Sequence, residues 1–195
     1  MSEQEIARIR LLMGTTGSGK TWKMRELLRE EKRCFLFDTM ADPKFEDFGV
    51  VCDTVQDAVA LAGKTENFRI RLQFSDVERF DFICRLMVKR PHGYQAFTEC
   101  TLAVDELALF TSPHWMPPGL NDLVRLGRHT GGKLIATTQR PPDINIFIRS
   151  QCKENYLFQM HEKADLDTFR GRLENPEELV KLKIGEYKLW NPSAH

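Results

Sequence analysis

Ile9-Arg10-Leu11-Leu12-Met13-Gly14-Thr15-Thr16-Gly17-Ser18-Gly19-Lys20-Thr21 is the stretch whose reading decides the fold. Gly14 to Thr21 fits G-x-x-x-x-G-K-[ST], and the apolar run before it reads as a buried strand. The glycines let consecutive backbone N–H groups turn inward on one anion, and a helix opening at the loop brings its positive end to the same point. Lys20 reaches the β- and γ-phosphates of a bound triphosphate, and the Thr21 hydroxyl suits Mg²⁺. Gly14, Thr15, Thr16, Gly17, Ser18, Gly19, Lys20 and Thr21 are therefore the candidate nucleotide contacts, with Trp22 in the first helical turn. ATP and Mg²⁺ are the implied cofactors. A chance glycine-rich turn would not be framed by a strand before it and a helical pattern after it.

The rest of the chain repeats the alternation. Lys20 to Glu31 reads as a helix, with Trp22, Met24, Leu27 and Leu28 at helical spacing. Cys34 to Phe37 is a short buried strand ending at Asp38, and Asp53 to Ala62 a capped helix stopped by Gly63. Phe68, Ile70, Leu72 and Phe74 alternate with Arg69, Arg71 and Gln73 at strand period. Helices are expected over 76–89, 119–129, 142–152, 164–173 and 176–182. Strands are expected over 101–104, 133–138, 156–160 and, at an edge, 187–190. Strands alternating with helices imply an α/β protein, with a mostly parallel sheet covered on both faces. The 195 residues favour one domain: a core over about 7–160, then C-terminal helices and an edge strand over 161–195.

Composition excludes several classes. Charged residues are 29%, hydrophobic residues 42% and the net charge zero, so strong global attraction to nucleic acid is not indicated, although a local basic channel is compatible with a zero sum. No apolar stretch is long enough to span a bilayer, and Met1-Ser2-Glu3-Gln4-Glu5 is unlike a secretory signal. Cys34, Cys52, Cys84, Cys100 and Cys152 form no C-x-x-C pair, which points to a reducing compartment, the cytoplasm, and to no structural metal.

A second half-site follows. Thr101-Leu102-Ala103-Val104-Asp105-Glu106 is an apolar strand ending in two acids. Ligands of such sheets lie beyond the carboxyl ends of the strands. There Asp105 can complete the Mg²⁺ shell opposite Thr21, and Glu106 can polarise the water that attacks the γ-phosphate. The next strand, Leu134-Ile135-Ala136-Thr137-Thr138-Gln139-Arg140-Pro141, puts the Gln139 amide where it can touch the γ-phosphate or that water.

The phosphate loop, the apolar-Asp-Glu strand, Gly127-Arg128-His129-Thr130-Gly131-Gly132 and Ala136-Thr137-Thr138-Gln139-Arg140-Pro141 together resemble the FtsK–HerA superfamily of ring-forming DNA-pumping ATPases. The small size is similar to the genome-packaging ATPases of membrane-containing icosahedral viruses. The resemblance, over roughly 8–160, implies a RecA-like core, a ring of six subunits and ATP-driven translocation of double-stranded DNA. It also implies docking to a capsid or portal vertex protein, a place in the host cytoplasm or the virion, and an active site completed by an arginine of the neighbouring subunit. Lys20 and Thr21 match its loop pair, Asp105 and Glu106 its acidic pair, and Gln139 its sensor. Arg128 and then Arg149 are the candidates for the trans arginine, with Arg125 and Arg140 nearby. No winged-helix domain, N-terminal barrel or membrane anchor is legible, so the motor would be a bare core without stable membrane insertion.

DNA contacts are sought first in the loop 110–119, where Trp115 either stacks on bases or packs on its own domain, and in the basic stretch Lys89, Arg90 and His92. Two other functions use the same phosphate loop. A small-molecule or nucleotide kinase needs an arginine-rich lid, and the stretch from Arg140 to Arg149 is short for one. An assembly or secretion ATPase of the zonula-occludens-toxin type usually carries a membrane segment. A GTPase is disfavoured by the lack of N-K-x-D, and an ABC-type ATPase by the lack of L-S-G-G-Q.

Overall fold

The computed structural model of the chain describes residues 8–88 and 97–191. Lys89, Arg90 and His92 therefore lie outside the described residues. One eight-stranded sheet runs in the order β3-β4-β2-β5-β6-β1-β7-β8. The strands are β1 (Ile9–Met13), β2 (Arg33–Asp38), β3 (Val50–Cys52), β4 (Phe68–Leu72), β5 (Thr101–Asp105), β6 (Lys133–Thr138), β7 (Glu154–Leu157) and β8 (Lys188–Trp190). Every pairing is parallel except β7 with β8. The phosphate-loop strand β1 and the acidic strand β5 are not neighbours; β6 lies between them.

Alternating side chains divide the core into two layers. Leu12, Leu36, Ala103 and Ile135 face α1 (Lys20–Leu28), where Met24 and Leu28 are buried. Leu11, Phe35, Phe37, Leu102, Val104 and Leu134 face the opposite layer. That layer holds α2 (Val55–Lys64), α3 (Val77–Leu86), α4 (Pro118–Leu126), α5 (Ile146–Gln151) and α6 (Lys163–Asp167), with Phe80, Ile83, Leu120, Leu123, Ile148 and Leu166 among its buried side chains. Phe80 stacks on Phe110 at 4.1 Å between ring centroids, and both meet the edge of Phe37, which fixes the acidic strand against α3.

Several helices stop earlier than their periodicity predicts, and arginines explain two of the stops. Arg69 donates to the carbonyls of Leu28, Arg29 and Glu31, so α1 ends at Leu28 rather than Glu31. Arg8 donates to Leu123 O and Val124 O, ending α4 at Leu126 with a 3-10 turn over Gly127–His129. The helix expected over 142–152 divides into a 3-10 turn at Pro141–Asp143 and α5, because Asn145 caps α5 by accepting from Phe147 N–H. The stretch 164–173 keeps only α6, and Pro176–Lys181 is a 3-10 helix. Gly63 does not stop α2, which continues to Lys64. Strand β3 has no counterpart in the sequence reading: an edge strand with Val50 and Val51 exposed lacks the alternation that marks a half-buried one. All five cysteines are buried as free thiols.

Candidate active site

The carboxyl ends of β1, β5 and β6 converge on the phosphate loop. The loop's geometry is a glycine requirement. Gly19 sits at φ +109°, and a Cβ there would lie 2.9 Å from Gly185 Cα. Gly14, at φ +156°, would drive a Cβ to 2.7 Å from Phe158 Cβ. The loop thus lies pressed between β7 and the segment around Gly185, whose N–H donates to Ser18 O at 2.9 Å. No local pattern marks Gly185 as part of this site. Tyr187 continues the clamp, with its ring against Tyr156 and Phe158 and Lys23 Nζ 5.1 Å from its centroid.

Lys20 is buried and donates to Gly14 O at 2.6 Å and Thr15 O at 2.8 Å. Burial lowers its pKa from 10.5 to about 8, against the opposing pull of Glu106 and Asp105; Lys44 adds to the lowering. That coupling places Lys20 beside both acids, and Lys44, from the turn after β2, in the same field. The Ser18 hydroxyl is buried with no hydrogen-bond partner among the described residues. An orphaned donor in a glycine cradle is what a phosphate oxygen would satisfy.

The acids are held by the strand between them and the loop. Thr137 Oγ1 donates to Asp105 Oδ1 at 2.8 Å and accepts from Glu106 N–H at 2.9 Å. Thr138 Oγ1 donates to Glu106 Oε1 at 3.0 Å, and Gln139 N–H donates to Glu106 Oε2 at 3.1 Å. These bonds fix Glu106 in the left-handed region, φ 67° and ψ 76°. For a residue with a side chain this costs about 1–3 kcal/mol and persists only where neighbours over-determine it. Burial raises the pKa of both acids; Thr137 opposes the shift at Asp105, and Thr138 and Gln139 oppose it at Glu106. Gln139 also closes the circuit to the phosphate loop, its Oε1 accepting from Thr16 Oγ1 at 2.8 Å.

Behind Asp105 stands its register partner Asp38, at the end of β2. Asp38 is fully buried and pairs with Arg71, whose Nε donates to Asp38 Oδ2 at 2.7 Å. Strand alternation places Arg71 on a polar face; instead it is buried by this pair. Asp38 Oδ1 accepts from Asp42 N–H at 3.0 Å, holding the turn that carries Lys44. The apolar run ending in Asp38 is the same signal that marks Asp105, and it could have flagged Asp38. The two threonines of β6 carry no such mark, since threonine is ordinary in strands.

The structure thus gathers Gly14 to Thr21, Asp105, Glu106 and Gln139 at one edge of the sheet. Trp22 is 62% exposed on the first turn of α1, so it is not the core residue that helical spacing makes of it; it is open to solvent beside the loop. Arg128 and Arg149 are not part of this constellation. Arg128 lies at the amino-terminal edge of the sheet, in a cleft with the first residues of β1 and β6. Arg149 sits on α5, its Nε buried without a hydrogen-bond partner and its charge facing Arg172; burial, then Arg172, lowers its pKa. Trp115 is 51% exposed in a turn closed by Ser112, so it does not pack into its own domain. No group of three or more His, Cys, Asp or Glu side chains among the described residues can hold a metal ion by itself. The Thr21 hydroxyl and Asp105 carboxylate are oxygen donors of the kind Mg²⁺ takes one or two of from a protein, beside phosphates and water.

No protein-family model matches the chain, and no curated protein matches it in sequence. Solved structures do match. The genome-packaging NTPase B204 of Sulfolobus turreted icosahedral virus 2, in complex with sulfate, has a TM-score of 0.76 at 19% identity, covering 97% of this chain and 93% of that one. VirB4 of Thermoanaerobacter pseudethanolicus gives 0.66 at 13%, covering 99% of this chain and 89% of that one. The chain shares the α/β fold of these two proteins. EssC (ATPases 2 and 3) from Geobacillus thermodenitrificans gives 0.58 at 14% over 96% of this chain and 38% of that one. The α/β, RecA-like architecture read from the sequence is the one observed. No helix among the described residues is long and apolar enough to cross a membrane.

Proposed function

We propose that this chain is an ATP-hydrolysing motor that translocates double-stranded DNA, in the setting of viral genome packaging into a capsid. The observation that carries the reading is the Thr16–Gln139–Glu106 circuit, which ties the loop that would hold the γ-phosphate to the acid that would activate water. Support also comes from B204, a genome-packaging NTPase matched over nearly the whole of both chains and solved with ATP-γ-S, AMP and AMPPCP.

In this reading the backbone N–H groups of 17–21 and Lys20 bind the triphosphate, Lys20 exchanging its two carbonyl acceptors for phosphate oxygens. Mg²⁺, held by Thr21 and Asp105, supplies charge neutralisation on the β- and γ-phosphates when bound. Glu106 orients one water and takes its proton as the oxygen bonds to the γ-phosphorus, while the bond to the β-phosphate oxygen breaks and ADP and phosphate result. Gln139 orients the same water, and its release from Thr16 on product formation passes the nucleotide state to the Arg140-Pro141 turn. Because Arg128 and Arg149 stand outside their own subunit's site, an arginine that completes it comes from a neighbouring copy, which calls for a ring, six subunits by resemblance. The capsid or portal vertex is the docking partner this setting implies.

The test is ATP turnover with and without long double-stranded DNA, alongside the oligomeric state with an ATP analogue bound. Stimulation by DNA and a closed ring are expected. Phosphorylation of a small acceptor in place of water by a monomer would replace the motor with a kinase.

A further inference from the structure

The turn that follows β2 is held by more bonds than a solvent loop needs. Asp38, at the end of β2, accepts from Arg71 and from Asp42 N–H, and Arg71 also donates to Asp42 O at 3.0 Å. Ala41 lies inside this ring of bonds in the left-handed region, at φ 52°, with its N–H on Asp38 O at 3.1 Å. For a residue with a Cβ that conformation persists only where neighbours over-determine it. It reverses the chain, so that Asp42 returns to the strand end. Asp42 then caps a 3-10 turn over Pro43–Phe45, its Oδ1 accepting from Lys44 N–H at 2.9 Å.

The turn lies beside the nucleotide edge. Asp38, Asp105 and Thr137 stand at the ends of three adjacent strands, in the same alternation phase as Leu36, Ala103 and Ile135. They therefore share the face of the sheet that α1 covers. Phe45 is fully buried in one apolar cluster with Met24 and Leu28 of α1, and Arg25 of α1 pairs with Asp47 at 2.8 Å. The helix that pins the turn is thus the one that opens at Lys20. Lys44 itself is fixed in its backbone and loose in its side chain. The side chain is 61% exposed, and Asp42 Oδ2 is 3.6 Å from Nζ, longer than a charge-assisted hydrogen bond. Nearby cations are held closer, Lys23 on Glu26 at 2.7 Å and Arg71 on Asp38 at 2.7 Å. Electrostatics place the turn in the same way: burial, and after it Asp38 and Asp42, raise the pKa of Asp105, and Lys44 adds to the lowering that burial causes at Lys20.

We propose that Lys44 is a catalytic residue of its own subunit: its ammonium leaves Asp42 and donates to a γ-phosphate oxygen as the phosphoryl group passes to water. This role presupposes the hydrolysis read above. Lys20 grips the triphosphate from the loop, and Lys44 reaches it from the β2 side. In the transition state charge spreads over the three equatorial oxygens of the phosphoryl group, and a cation already positioned there stabilises it. Lys44 forms no covalent bond and gives up no proton. Asp42 is a positioning residue, which caps the turn and holds the ammonium until the nucleotide arrives.

The experiment measures ATP turnover of the full chain by phosphate release, together with affinity for labelled ADP. Lys44→Met is expected to lower kcat about 10²–10³-fold. Its ADP affinity should stay within a few-fold of the parent, because ADP has no γ-phosphate. Lys44→Cys is expected to fall as far, and to recover at least tenfold after alkylation with 2-bromoethylamine, which rebuilds an ammonium on a side chain of lysine-like length. Iodoacetamide, which adds a neutral amide, should restore nothing. The parent serves as control under both reagents, since its own five cysteines are buried. Circular dichroism checks that each variant is folded. Parent-like kcat in folded Lys44→Met, or equal recovery with both reagents, would overturn the role of Lys44 and leave the hydrolysis reading intact. A matching loss of ADP affinity and melting temperature would make Lys44 a structural residue and overturn its role as well. No ATP turnover by the parent, with or without long double-stranded DNA, would overturn both.

Discussion

Nucleotide affinity is expected to fall as pH rises above 8, because of one buried lysine. In the free protein Lys20 loses its proton at about pH 8, since burial outweighs the pull of Glu106 and Asp105. With a triphosphate bound, several negative oxygens face the ammonium, and the proton stays on past the ordinary lysine value of 10.5. Above pH 8 each binding event must therefore take up a proton, and affinity falls towards tenfold per pH unit. Between pH 7.5 and 9.5 the expected loss is about 20-fold, or roughly 2 kcal/mol. Four of the cysteines do not titrate in this window: Cys100 and Cys152 are pushed up to about 12 by burial, and Cys34 and Cys84 lie well above the usual thiol value. The assay is titration of labelled ATP-γ-S at fixed ionic strength, repeated by calorimetry in two buffers of different ionisation enthalpy to count the proton. Lys20→Arg, whose charge does not titrate, should bind with little pH dependence even if more weakly. Constant affinity from pH 7.5 to 9.5 in the parent, or an equal loss in Lys20→Arg, would refute the reasoning. The same depression sets a sign for stability. Between pH 8 and 10.5 the unfolded chain holds the proton and the folded chain does not, so the Lys20 contribution makes stability rise with pH across that window.

Glu106→Gln should bind ATP-γ-S like the parent and lose about 10²–10⁴ in turnover, measured by phosphate release, because the amide cannot accept the water proton. Thr137→Val removes the hydroxyl that holds both Asp105 and Glu106, and is expected to lower turnover at least tenfold while costing about 1–3 kcal/mol of stability in urea unfolding. Arg71→Ala leaves the fully buried Asp38 unpaired and should cost about 3–5 kcal/mol, whereas the double change Asp38→Leu/Arg71→Met should recover much of it; equal losses in both would show that charge pairing is not what holds that turn. Gly19→Ala places a methyl group against Gly185 at positive φ, so both the melting temperature and ATP-γ-S affinity should drop.

The phosphate loop was legible because its glycines, lysine and threonine are contiguous and their spacing is the chemistry. Asp105, Glu106 and Gln139 were legible because each ends an apolar strand, and the carboxyl ends of parallel strands share one edge. Thr137, Thr138, Asp38 and Gly185 were not, because their importance lies in which strand stands next to which. Trp22 shows the limit of periodicity: helical spacing puts it with Met24 and Leu28, but α1 is packed on one side only, and Trp22 falls on the open side. The place of Arg128, at the far edge of the sheet from the phosphate loop of its own chain, is likewise set by the fold and not by its sequence neighbourhood.

By itself the sequence determined the α/β class, the nucleotide loop and the two acids at a strand end, because these follow from local periodicity and contiguous residue chemistry. Only the tertiary structure decided that β6 lies between β1 and β5, so that two threonines and one glutamine connect the acids to the loop. Only it decided that Asp38 is buried against Arg71 behind the acids. Strand order and side-chain pairing across long sequence separations are set by the packing of the whole sheet, and no local run of residues encodes them.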